Sequence, residues 1–346
     1  MIKSSYEIMA SNDARTQSRN QFLQAEGWGD AKLIPFAADA SFRRYFRLIG
    51  KQRTALLMDA PPPRERTEPF ADIASHLRNL GLSAPEILAA DHVHGWLLIE
   101  DFGDNTFTQL LASGHDEAQL YELACDALIA LQRHPAVNTL SLPPYDTKAL
   151  VAEAELFVHW FVPATSEHLR QAALDAYVQA WSGVLTGLPA LKPTLVLRDY
   201  HVDNLMLLAD RTGSAACGLL DFQDALCGSP AYDLASLLED ARRDVSAEVV
   251  SAVQAQYLAS QVLDSACEFQ RAYTILAAQR HLKVAGIFVR LWQRDGKPYY
   301  LRHLPRVLRY LRRHLTTPEL APVQQWIAEH IHFEAACGKA EHLASV

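Results

Sequence analysis

Leu195–Met206 reads LVLRDYHVDNLM, placing an Asp, a His, a second Asp and an Asn within six positions between apolar residues. Asp199 and Asn204 stand five apart, which does not make them helix neighbours but suits a loop that doubles back and turns both side chains to one spot. Seventeen residues after Asn204, the apolar run in GSAACGLLDFQDA ends at Asp221. Asp, Asn and Asp are hard oxygen donors, a set that favours magnesium held partly by substrate phosphates. Phosphoryl transfer calls for this combination: a metal to neutralise charge between phosphates and a carboxylate to orient the attacking hydroxyl.

Around this stretch the chain divides into two patterns. After a polar leader over 1–20, AKLIPFA, RYFRLIG and TALLMDA read as three short strands, the third stopped by Pro61, Pro62 and Pro63. PFADIASHLRNL has apolar residues at helical spacing with Gly81 as a stop, and PEILAADH and GWLLIED follow as two more strands. From Thr106 the spacing is helical, as in EAQLYELACDALIALQRH and HLRQAALDAYVQAWSGVLTGL, interrupted by the two apolar runs that flank the polar loop. The expectation is an α+β fold: a β-rich nucleotide-binding lobe over 21–102, and a large, mainly helical catalytic and substrate-binding lobe over 103–346.

The 346 residues are enough for two cores, and 49% hydrophobic with 21% charged is a globular balance. No run approaches the roughly 18 apolar residues of a spanning helix, and the opening MIKSSYEIMASNDARTQSRN has no signal-like apolar block, so cytoplasmic location is expected. Five scattered cysteines without a CxxC pair suggest neither zinc nor a disulfide framework. A net charge of -8 argues against nucleic acid or an anionic membrane as partner, and no obligate protein partner is expected. Yet Arg271–Arg313 carries eleven Lys or Arg against one acid, Asp295, a basic region within an acidic protein.

The spacing D-x-x-x-x-N, with D-F after a short hairpin, resembles the catalytic loop and metal segment of the protein-kinase-like fold, and HVDNLM with LLDFQDA resembles the aminoglycoside phosphotransferase family. The resemblance implies a bilobal kinase fold, ATP as co-substrate, Asp199 as catalytic base, and Asn204 and Asp221 as Mg2+ ligands. Where the family has His-Gly before the Asp, this chain has Leu197-Arg198. His201 either braces the loop or meets the substrate, and Asp233 in PAYDLASLLED is expected to anchor the loop. Glu100-Asp101-Phe102-Gly103 spells a DFG that precedes the catalytic loop; its placement resembles the hinge, where main-chain groups near Glu100 and Phe102 would meet an adenine. In the phosphate-covering position, ADASFRRYFRL contains no glycine, so Ser41 and Phe42 are expected to offer hydroxyl and backbone groups there. The third strand lacks the usual lysine, which would fall at Met58 or Asp59. Arg43 or Arg44 is the candidate replacement, a solvated pair being the alternative.

Six blocks, DASFRRYFR, LLMDAPPP, IEDFGDNTF, RDYHVDNLM, LLDFQDALCGSPAYDLASLLEDARRDV and QRHLKVAGIFVRL, resemble the bacterial anomeric amino-sugar kinases of that family. That implies transfer from ATP to the C1 hydroxyl of N-acetylmuramate and N-acetylglucosamine in cell-wall recycling. Alternatives are another small alcohol or sugar, or a nucleotide-binding regulator without turnover. The basic region fits an acidic sugar better than a polycationic aminoglycoside, and Lys283, Arg302 and Arg306 are candidate partners for a sugar carboxylate.

Overall fold

The computed structural model describes residues 5–36, 43–166, 168–260 and 266–345. The described part of the polar leader is helical: α1 (Ser5–Ala25) lies against a five-stranded antiparallel sheet of β1 (Lys32–Pro35), β2 (Arg44–Ile49), β3 (Thr54–Asp59), β4 (Ile87–Asp91) and β5 (Trp96–Ile99), in the order β1-β2-β3-β5-β4. Strand alternation gives the sheet two faces. Ala55, Leu57, Trp96 and Leu98 pack on Phe22 and Leu23 of α1, while Met58, Leu97 and Ile99 join the main core with α2 (Glu68–Asn79). Arg15 of α1 stacks 3.6 Å over the Trp96 ring and reaches Asp59 through Nε at 3.0 Å.

The second lobe begins with α3 (Phe107–Ala112), α4 (Glu117–Arg133) and α5 (Thr147–Leu156), which runs through a π-helical turn (Phe157–Phe161) into α6 (Val162–Thr165) and is followed by α7 (Gln171–Thr186). Then come four three-residue strands, β6 (Thr194–Val196), β7 (Leu205–Leu207), β8 (Cys217–Leu219) and β9 (Leu226–Gly228), paired antiparallel as β6 with β9 and β7 with β8. Helices α8 (Ala231–Leu238), α9 (Ala247–Ser260), α10 (Ala266–Asp295), α11 (Leu304–Leu315), α12 (Ala321–His330) and α13 (Phe333–Ser345) complete the chain. The 30-residue α10 is the axis of this lobe, and Gly286 lets it cross α5, since a Cβ there would sit 2.3 Å from the Leu156 carbonyl carbon. Among the described residues, no helix is long and apolar enough to cross a membrane.

Candidate active site

Between β6 and β7 the backbone must turn sharply, and the turn is fixed from behind. Asp233, buried near the start of α8, accepts the Leu197 and Arg198 N–H groups at 2.7 and 2.8 Å. Burial lifts its carboxyl to about 7, against the pull of those two N–H donors. Arg198 takes φ 71°, a left-handed conformation that glycine adopts freely and an arginine only under restraint. The restraint is visible: its guanidinium is ion-paired with Glu153 and donates to the Asp224 carbonyl at 3.0 Å. Glu153 also accepts from the Tyr145 hydroxyl and from Lys283 Nζ at 2.9 Å. Glu153 and Lys283 thus hold the loop where glycine would need no help.

Asp199 follows directly. Its carbonyl accepts from Asn204 Nδ2 at 2.9 Å, which points the opposite, oxygen-bearing edge of that amide away from the loop. The Asn204 carbonyl in turn accepts from Leu220 N at 2.9 Å, bringing the end of β8 alongside. Asp221 also has a left-handed backbone, φ 56°, which short polar residues tolerate. Gln223 Nε2 donates to Asp221 Oδ1 at 2.8 Å, while burial in the cleft, with a further push from the Asp199 charge, raises the Asp221 carboxyl above its ordinary value. A carboxylate raised by burial and by a second acid, beside an amide oxygen, fits a hard divalent cation: the donor set is all oxygen, and a bound positive charge would relieve the repulsion.

Two cavities open from these residues. One, of about 510 Å³, lies under the N-terminal sheet against the hinge, with Tyr45, Leu56, Ile99, Phe102 and Met206 on its apolar walls. The other, of about 540 Å³, lies within the helical lobe and is bordered by Asp199, His201, Arg242, Arg280, Tyr299 and Arg302. Asn204 and Asp221 border both.

The expected site residues fall at distinct places. Asp199, Asn204, Asp221 and His201 converge as above. Glu100, Phe102 and Arg43 border the first cavity, and the Glu100 N–H is donated to the Glu86 carbonyl at 2.9 Å. Arg44 does not border it; its side chain pairs with Asp59 at 2.6 Å. Met58 is fully buried in the core, opposite Tyr45 in the β2–β3 ladder, and Asp59, the other position considered for the lysine, is buried and ion-paired with Arg15 and Arg44, so neither supplies a positive charge. Ser41 and Phe42 lie outside the described residues. Arg302 borders the second cavity, its guanidinium 4.0 Å over Tyr299. Lys283 and Arg306 do not: Lys283 belongs to the brace behind Arg198, and Arg306 is ion-paired with Asp244 at 2.9 Å. His201 is buried and its Nε2 accepts from Arg242 Nη1 at 3.1 Å; burial, then the charges of Arg242 and Arg280, hold its imidazole well below its ordinary pKa.

Sequence reasoning missed Arg242, Arg280, Tyr299 and Tyr300 at the second cavity, and Glu153 behind the loop. Arg280 was one of eleven similar cations in a helical stretch, and nothing in its spacing marks it. The Arg242-Arg243 pair, one residue after LLED, was the available signal for Arg242.

A two-lobed chain with this loop is a phosphotransferase by fold and by site. Residues 32–269 match the model of the phosphotransferase enzyme family, and the chain belongs to that family. Two curated relatives, both named N-acetylmuramate/N-acetylglucosamine kinase, match it nearly end to end. The protein from Pseudomonas aeruginosa is 39% identical, over 92% of this chain and 97% of that one. The protein from Caulobacter vibrioides is 34% identical, over 94% and 99%. Among solved structures, an aminoglycoside phosphotransferase of Streptomyces rimosus, in complex with ADP and streptomycin, has the same protein-kinase-like fold, with a TM-score of 0.52, 18% identity, and coverage of 76% of this chain and 97% of that one.

Proposed function

We propose that this phosphotransferase moves the γ-phosphoryl group of ATP to the anomeric C1 hydroxyl of N-acetylmuramate and N-acetylglucosamine, a step of cell-wall recycling. The names of the two curated relatives support the substrates. The observation that carries the reading is the meeting of an apolar and a polar cavity on one Asn–Asp pair. In this reading the purine lies between the apolar walls, with the Phe102 N–H as its hinge donor, and the sugar occupies the helical-lobe cavity. Asp199 orients the C1 hydroxyl and takes its proton as the new O–P bond forms and the bond to the β-phosphate breaks, releasing ADP. An anomeric hydroxyl is more acidic than an ordinary alcohol, so positioning and charge neutralisation dominate the barrier reduction. Mg2+, held by Asn204 and Asp221, would supply the neutralising charge between the phosphates.

The test is ADP release with ATP and a panel of sugars, followed by phosphorus NMR of the product. Turnover on both N-acetylhexosamines with an anomeric phosphate is expected. A 6-phosphate product, or turnover on neither sugar, overturns the proposal.

A further inference from the structure

Three arginines border the polar cavity, and they differ in how their charge is met. Arg242 is neutralised within the protein, its Nε lying 3.2 Å from Asp203 Oδ2. Arg302 is exposed at the rim against Tyr299, where water screens it. Arg280 is 3% exposed, yet among the described residues no carboxylate lies within salt-bridge distance of it and its Nη1 has no hydrogen-bond partner. Asp233 and Asp240 feel its charge without touching it, and both are engaged elsewhere: Asp233 by the Leu197 and Arg198 N–H groups, Asp240 by the Arg242 N–H at 2.8 Å. His201 and His281 also feel its charge, and each is held neutral below its ordinary pKa, so neither imidazole offers it a counter-charge.

A guanidinium taken out of water without a partner is costly, and proteins keep one where an anion arrives to complete it. Planar, doubly donating guanidinium matches a carboxylate. N-acetylmuramate carries a lactyl carboxylate that N-acetylglucosamine lacks. We infer that Arg280 is the receptor for that carboxylate, and so sets the preference of this cavity for the acidic over the neutral sugar; the inference rests on the reading given under Proposed function.

The experiment compares kcat/KM for the two sugars in the wild-type enzyme and in Arg280→Gln. The variant is expected to lose about 100-fold on N-acetylmuramate and at least tenfold less on N-acetylglucosamine, the scale of leaving a charge-assisted pair unmade. Because a buried arginine also supports folding, the methyl ester of N-acetylmuramate is assayed with the unaltered enzyme. The ester should lose about as much as the variant does, and Arg280→Gln should treat acid and ester alike, as in a double-mutant cycle. Equal losses on both sugars, which would place Arg280 on the phosphoryl group, or an ester used as well as the acid, would overturn the assignment. Wild-type inactivity on both sugars would overturn the proposed function itself, a result that the comparison of acid and ester cannot mimic.

Discussion

The two cavities are nearly equal in volume, but the one in the helical lobe carries far more charge. The one under the sheet is walled mainly by Tyr45, Leu56, Ile99, Phe102 and Met206, and the one in the helical lobe sets acids, histidines and arginines against an apolar wall of Val284, Ile287, Phe288 and Leu291. A flat, uncharged base is held by shape and by a few hinge contacts, so its site can be drawn from the core. A sugar offers hydroxyls and, in one of the two, a charge; each polar group brought into contact with it must find a partner. Asn204 and Asp221 lie where the two requirements meet.

The largest expected effect lies beside that meeting point, at Asp199 on the wall of the helical-lobe cavity. Asp199→Ala should lower kcat by about a thousandfold or more with the sugar KM little changed, because the carboxylate acts on the hydroxyl only as transfer proceeds. Asp221→Ala should instead act through the metal-nucleotide, with added Mg2+ recovering part of the loss. Steady-state ADP release over a matrix of sugar and Mg2+ concentrations separates them, and comparable turnover in Asp199→Ala and wild type removes the mechanism.

Behind the loop, Glu153→Gln tests whether the polar side depends on charges that never touch substrate. The substitution leaves Arg198 and Lys283 facing each other without the carboxylate between them. Losing the carboxylate from such a buried group costs on the order of 3 kcal/mol. A fall in Tm of several degrees is expected by calorimetry, with a roughly tenfold lower kcat as Arg198 loses hold of its left-handed turn. An unchanged Tm would show that Asp233 and the Asp224 carbonyl suffice.

What was legible in the sequence follows the same division. The candidate catalytic loop was visible because its grouping is local: Asp199, Asn204 and Asp221 lie within 23 positions, and a loop and one hairpin bring them to one cavity. The sheet was legible because β3 and β5, buried on both faces, are short continuous apolar runs bounded by turn residues. The polar cavity was not, because Thr108, Arg242, Arg280 and Tyr299 reach it from separate elements, and tertiary packing alone selects them. The eleven cations over 271–313 look alike in sequence, and their partners tell them apart. Arg306 and Arg309 meet Asp244, Arg312 meets Glu334, Arg313 meets Glu239, Lys283 meets Glu153, Arg271 meets Glu319 and Arg294 meets Asp295. The charge asymmetry is therefore mostly internal neutralisation. The leader likewise showed no apolar periodicity, yet Arg15 and Ser18 dock on Trp96 by stacking and by a 3.0 Å hydrogen bond.

Acid should weaken the helical lobe before the sheet. Glu239, buried after α8, accepts from His281 Nε2 at 2.7 Å and His314 Nε2 at 2.8 Å; although burial opposes it, these donors hold its carboxyl well below the usual range. Burial lowers His281 to about 4, despite the neighbouring carboxylate, so the imidazole is neutral in the fold. An unfolded chain takes up that proton near 6.5 and the folded one near 4. The stability this contributes is complete above about 6.5 and is lost as pH falls through that window, by on the order of 2 kcal/mol at pH 5. His303, lowered to about 4 chiefly by burial, acts with the same sign. Thermal melts from pH 7.5 to 5 should show Tm falling, and His281→Gln should flatten the slope; a Tm independent of pH over this range would contradict the assignment of a neutral His281.

The smallest expected effect sharpens the comparison on the apolar side, where one cation has to serve the nucleotide phosphates. Arg43 and Arg44 are adjacent, and strand alternation sends them opposite ways. Arg43 borders the cavity, pairs with Glu65 at 3.0 Å and lies close enough to Asp221 for their charges to interact. The side chain of Arg44 is half exposed and tied to Asp59, whose other oxygen is held by Arg15. With Met58 and Asp59 both buried and neither of them basic, Arg43 is the candidate for the charge that a lysine would bring, since it borders this cavity. Arg43→Ala should raise the KM for ATP about tenfold, the scale of one charge-assisted contact open to solvent, and Arg44→Ala should change it less than about twofold. The sugar KM should stay constant in both, since neither arginine borders the polar cavity. If Arg44→Ala has the larger effect on ATP, or if both substitutions are silent, the phosphate charge comes from elsewhere in the N-terminal lobe.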